Sequence, residues 1–322
     1  MRQWFFVILL ALCGAKVSQA EAPPQFILQW GTPGSGPGQF TIPFGVAADN
    51  SGNVYVTDRD NHRIQKFDAS GNFVLAWGSF GSGPGQFINA DNVAVDQLGF
   101  VYVSDWDTNR IQKFDSNGGF ITQWGTGGTG PGQFSQAYGL SVSDDGFVYV
   151  ADKFNCRIQK FTTSGVFVTM WGSCGSGSGQ FANCSNVAVT NDGYVYGVDQ
   201  WNSRVQKFDT NGNFILTWGS GGSGSGQFAD PYGIDVDTQG NVYVSDRDNN
   251  RIQKFTSNGS FVLEWGSLGS QPGQMVAPAG ISVDNGGYIY LADASNHRIQ
   301  KFGYLPTPVI ATTWSAIKGQ YR

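Results

Sequence analysis

Several stretches carry residue types that could do chemistry. "GTGGTG" (125–130) and "GSGGSG" (219–224) both fit the G-x-G-x-x-G pattern of a dinucleotide-phosphate loop. That chemistry needs the glycines between a strand and a helix, whose first amide groups hold the anion. Here "PGQF" or "SGQF" and a second strand-like run follow, so the phosphate reading is rejected. "DWDTNR" (105–110) and "DRDNNR" (246–251) begin like a calcium loop. Their sixth position is Arg110 or Arg251 instead of Gly, and their twelfth is Ser116 or Ser257 instead of Glu. Only two histidines exist, His62 and His297, too few for a His-rich zinc centre and ill-suited to Ser–His–carboxylate catalysis.

The elements that must position these residues are declared by repetition. Asp58, Asp105, Asp152, Asp199, Asp246 and Asp293 recur every 47 residues, and so do six arginines, from Arg63 to Arg298, that open "RIQKF" or "RVQKF". Trp30, Trp77, Trp124, Trp171, Trp218 and Trp265 keep the same period. One copy reads as four short strands: "GVAAD" (45–49), "NVYVTD" (53–58), "RIQKFD" (63–68) and "FVLAWG" (73–78). Each is β-branched or aromatic and bounded by Gly, Asn or Asp. Six such units predict an all-β fold, a six-bladed β-propeller of four-stranded antiparallel blades. "FILQWG" (26–31) copies a fourth strand, whereas the last copy stops at "RIQKFG" (298–303) after its third. The N-terminal strand is therefore expected to complete the sixth blade and cover its edge.

The unit P-x-G-V-A-x-D-x-x-G-N-V-Y-V-x-D-x-x-N-H-R-I-Q-K-F resembles the NHL repeat, with Asn61 and His62 at its namesake positions. The resemblance spans residues 26–303. It implies binding propellers with protein or RNA ligands, sensor domains, or a peptide-amidating lyase, so it does not by itself choose a function. The lyase would need a histidine-rich zinc site, which two histidines do not supply.

Within a blade, the tight first-to-second and third-to-fourth turns share one face. The second-to-third loops and the long Gly-rich links share the other, and they vary most among the copies, which places specificity there. The two positions after each repeated Asp read RD, WD, KF, QW, RD and AS. Trp106, Phe154 and Trp201 are thus expected as an aromatic arc over the second to fourth blades. The segments leading into the inner strands put Asn89, Asp91, Asn92, Gln136, Tyr138, Asn183, Asn186, Asp230 and Tyr232 around the channel mouth. Aromatics beside amides and carboxylates suit a protein, peptide or glycan ligand. The competing expectation is that these aromatics merely shield the links.

A different enzymatic reading comes from six-bladed lactonase and paraoxonase propellers, which hold calcium in the channel with Asn, Asp and Glu. Asn92 and Asn186 replace the usual Gly, and Asp91 and Asp230 lie near. After residue 20 the chain has only Glu21 and Glu264, and neither reaches the mouth, so the usual Glu ligand is missing. Calcium is accordingly only the alternative, and no cofactor is expected.

Residues 1–20 read as a secretory signal peptide: Arg2, the apolar run "WFFVILLALCGA", then Ser18 and Ala20 for cleavage. Export to an extracellular or periplasmic compartment permits a disulfide among Cys156, Cys174 and Cys184. Cys174–Cys184 would staple a Gly-rich link, with Cys156 free or competing. The remainder holds 17 basic against 24 acidic residues, a net charge of −7, with no basic block; nucleic acid and membrane insertion are not expected. The domains are thus a signal peptide (1–20), the propeller (21–303) and a tail (304–322) with a short helical stretch. The functional expectation is a secreted, monomeric, non-catalytic binding scaffold; the alternative is a calcium-assisted hydrolase or lyase acting in the channel.

Overall fold

A computed structural model describes residues 21–304; the expected signal peptide, residues 1–20, and the expected short helical stretch of the tail beyond residue 304 lie outside the described residues. Six antiparallel four-stranded sheets form a ring. The first blade is Pro43–Ala48, Val54–Asp58, Arg63–Phe67 and Phe73–Trp77, in order from the axis outward. Inner strands of the next four start at Ala90, Ala137, Cys184 and Pro231. The sixth blade takes Pro278–Val283, Ile289–Asp293 and Arg298–Gly303 from the last repeat and Gln25–Trp30 from the N-terminal end. Gln25–Trp30 pairs antiparallel with Arg298–Gly303, so the expected closure is present.

Period-2 alternation does not describe the second and third strands, which are buried on both faces because neighbouring blades cover them. Alternation is seen in outer strands such as Phe167–Trp171 and Phe214–Trp218. The link residues Phe40, Phe87, Phe134, Phe181, Phe228 and Met275 are fully buried and fill the space between successive blades. Phe40 lies 5.7 Å from the Phe67 ring, and the same contact recurs around the ring. Gly31 needs a positive φ of 106°, and a Cβ there would stand 2.7 Å from Phe40 and 2.8 Å from the His297 carbonyl. The Gly-rich link is therefore a tight crossing back toward the axis.

Each repeated Asp ends its second strand and is fully buried. In the third blade Asp152 accepts from the Ser135 amide at 2.8 Å through Oδ1. Its Oδ2 accepts from Arg157 Nε at 2.7 Å, Asn155 Nδ2 at 2.8 Å and Gln159 Nε2 at 2.9 Å. Arg157 then donates to the link carbonyls of Thr129, Gly130 and Gln133. This network fixes the second-to-third loop against the link, which are the two segments that build the variable face. The second blade departs from it. Thr108 stands where the other five blades have Asn, Arg110 sits 3.6 Å from Asp105, and Arg110 Nε has no partner. Both histidines serve the same stitching: His62 Nδ1 meets the Ile88 carbonyl and His297 Nδ1 the Thr41 carbonyl, each in the next blade round.

The disulfide expectation is corrected. Cys156 is joined to Cys174, with Cα atoms 5.0 Å apart, and Cys184 is free and buried. Cys184 opens an inner strand and packs with Phe181 and Val187, out of reach of the link's outer bend. Cys156 ends the loop turn Lys153–Asn155 in a left-handed conformation, directly under that bend. The equivalent residues of the first blade, His62 and Phe80, touch at 4.9 Å between ring centres.

Candidate functional site

The channel mouth on the loop face is built from two rings of equivalent positions. The inner-strand ring reads Phe44, Asp91, Tyr138, Ser185, Tyr232 and Ala279; the loop ring above it reads Arg59, Trp106, Lys153, Gln200, Arg247 and Ala294. In the first, third and fifth blades an aromatic residue lies in the lower ring and a cation in the upper. The side chains meet accordingly. The Phe44 and Tyr232 rings are 4.9 Å apart, and those of Tyr138 and Tyr232 are 5.7 Å apart. The Arg59 guanidinium carbon sits 4.5 Å above Phe44, and Lys153 Nζ 3.8 Å above Tyr138.

This aromatic layer buries Asp91. Tyr232 donates to its Oδ2 at 2.9 Å and the Tyr138 ring packs against Tyr232, while Asp91 Oδ1 has no partner. Burial pushes the Asp91 carboxyl up to about 7, against the Tyr232 hydrogen bond and the three nearby cations, which pull it down. Burial likewise lowers the Lys153 ammonium, with Asp91 and Asp230 opposing. At the rim, Asp230 accepts from Gln200 and faces Arg247 at 3.5 Å, and Asn89 donates to Asp107. Asn183 is fully buried with both amide atoms unpartnered; Gln136 Oε1 and Ser185 Oγ are also unpartnered.

The expected aromatic arc is a pair. Phe154 and Trp201 are 45% and 66% exposed and face one another at 6.3 Å. Trp106 instead turns inward onto Tyr138, 5.6 Å away, with its indole N–H buried. Asn92 and Asn186 also leave the mouth. They lie one residue past the aromatic layer and line a cavity of about 470 Å³ that opens on the tight-turn face. That cavity contains Asp235, whose carboxyl burial raises to about 6 while the Val236 and Val283 amides pull it back.

Phe44, Arg59, Lys153 and Arg247 were missed from sequence. Their signal in the sequence is the alternation of the two columns between odd and even blades, with an aromatic in one column and a cation in the other.

Four segments, 40–67, 134–161, 228–255 and 277–302, match the NHL repeat. This is a propeller of NHL repeats. The unmatched second and fourth blades are those in which Asn92 and Asn186 replace the inner-strand glycine. A human relative, NHL repeat-containing protein 3, is 49% identical over 45 residues, which is 13% of this chain and 13% of that protein. The NHL propeller is similar in fold to a Bacteroides thetaiotaomicron protein of unknown function, with a TM-score of 0.67 and 20% identity over 86% of this chain and 76% of that one. It is similar also to a Xanthomonas campestris gluconolactonase, with a TM-score of 0.61 and 13% identity over 88% and 96%. At such identities the likeness is one of fold alone.

Proposed function

We propose that this NHL propeller is a non-catalytic binding module, exported and monomeric, whose ligand face is the one formed by the second-to-third loops and the links. Its ligand is a protein, peptide or glycan. The observation that carries the reading is the exposed Phe154–Trp201 pair, its rings tilted toward one another, beside a mouth of cations and orphaned polar groups. Exposed aromatic pairs of this kind supply apolar contact at little entropic cost. The Cys156–Cys174 bridge supports export to an oxidising compartment and holds the Phe154 loop in place.

The experiment is capture of ligands from protein, peptide and glycan libraries by the full chain, compared with the F154A/W201A variant. Both side chains are exposed, so the variant keeps its fold, and the expected result is loss of every specific ligand. Undiminished capture overturns the assignment of the face.

The competing reading is a calcium-assisted hydrolase or lyase in the channel. The inner-strand residues of the cavity suited to it are Asn92, Asn186 and Asp235, and Asp235 is already engaged by two backbone amides. Of the cavity's other carboxylates, Asp49, Asp96 and Asp237 accept from the amides of their own turns, which leaves few oxygens toward the six to eight ligands calcium takes. Calorimetric titration with calcium separates the readings, and saturable binding below about millimolar would favour the enzyme.

A further inference from the structure

We infer that the mouth takes an acidic oligosaccharide, with a uronate carboxylate held among Lys153, Arg59 and Arg247. The inference rests on reading the loop face as the ligand face.

The first observation is the state of these cations. The repeated arginines, Arg110 Nε excepted, turn their donors onto the scaffold; Arg157 makes five hydrogen bonds to protein groups. The mouth cations do not. Among the described residues Lys153 has no carboxylate within ion-pair distance, and Arg59 and Arg247 each have one partly exposed partner, Asp60 at 3.2 Å and Asp230 at 3.5 Å. The remaining guanidinium N–H groups are free to take a planar anion. Three cations against Asp60, Asp91 and Asp230 leave little excess charge, which suits a single carboxylate and not a polyphosphate or nucleic-acid strand.

The second observation is independent of charge. Asn183 is fully buried with its donor and its acceptor both unmatched; Asp91 Oδ1 and Ser185 Oγ are unmatched in the inner-strand ring, and Gln136 Oε1 in the segment leading into it. Buried polar atoms are costly to leave unpaired, and so many around one axis mark where polar groups complete the structure. A carboxylate alone satisfies donors only. Sugar hydroxyls both donate and accept, and so match this mixture. The third is the Phe154–Trp201 wall beside Lys153, whose Nζ is 5.4 Å from the Phe154 ring. It gives a pyranose ring an apolar face to lie on.

The test is calorimetric titration of the full chain with a galacturonate trisaccharide, its neutral methyl ester, and a tripeptide with a free C-terminal carboxylate. The acid is expected to bind at least about tenfold more tightly than the ester. K153Q, R59Q and R247Q should each weaken it by about fivefold or more, and K153R should retain it. Melting temperatures establish that each variant is folded. Equal binding of acid and ester, full affinity in K153Q, preference for the tripeptide, or no binding of the acid would each overturn the inference. The ligand face itself is separable: if F154A/W201A loses its captured ligands while K153Q keeps them, the face stands and the uronate assignment falls.

Discussion

Replacing Asp152 by Ala probes the network that holds the variable face. The carboxylate is fully buried and accepts four hydrogen bonds, from Ser135, Asn155, Arg157 and Gln159. Burial raises its carboxyl, with the Asn155, Ser135 and Arg157 hydrogen bonds opposing, so the pair as a whole is not a large source of stability. Breaking it from one side is different. Arg157 would remain buried and lose its only carboxylate, which costs about 3–5 kcal/mol. The fifth blade supplies an internal control. There Arg251 touches Asp246 at 2.8 Å and also Glu264 at 2.9 Å, so the guanidinium keeps one partner when Asp246 is removed. Asp246→Ala should therefore cost measurably less than Asp152→Ala. The exposed Asp60, paired to Arg59, should cost under about 1 kcal/mol. Urea unfolding followed by tryptophan fluorescence reads all three. A loss below about 1 kcal/mol in Asp152→Ala, or an equal loss in Asp246→Ala, would refute the stranded-charge reasoning.

Thr108→Asn should restore the hydrogen bonds to Asp105 and the link that five other blades make, and raise stability by about 1 kcal/mol, read as a higher urea midpoint. Cys174→Ser opens the loop closed across 18 residues and should cost about 3 kcal/mol by the same assay, while Cys184, fully buried with its thiol pushed up, stays closed to thiol reagents until unfolding. Asp91 ionises near 3.8 when unfolded but holds its proton to about 7 when folded, so its contribution is full below the unfolded value and is lost as pH rises through 7. Wild type should accordingly lose about 2.5 kcal/mol relative to Asp91→Asn between about pH 5 and pH 8, and parallel pH profiles of the two proteins would contradict the burial of that carboxyl. The F154A/W201A variant should lose ligand capture without a fall in melting temperature.

Blade number, strand order and ring closure were all legible because 47-residue identity fixes them before any contact is known. The copied strand at 26–31 and the missing one after 303 allowed one pairing, and it is the pairing found. The site was legible only as a face. Asp91, Asn89 and Gln136 were expected at the mouth, but nothing in one dimension says that Tyr232, four repeats along the chain from Phe44, rests against its ring. Trp106 and Trp201 stand one residue apart in their loops, and that single offset sends one inward and leaves the other exposed.

Local spacing therefore determined the elements and their order, since a repeat carries its turns, its strands and its Asp–Arg network within itself. Closure into a ring decided the rest. It set aromatic residues from alternate blades edge to edge at the axis, placed a cation over two of them, and carried Asn92 and Asn186 to the far side of that layer. It also laid a link bend over the preceding loop, so that Cys174 met Cys156 and not the nearer Cys184. Residues far apart along the chain are neighbours on the axis, and their packing there depends on which side chains stand opposite one another, a relation that exists only once six blades have met.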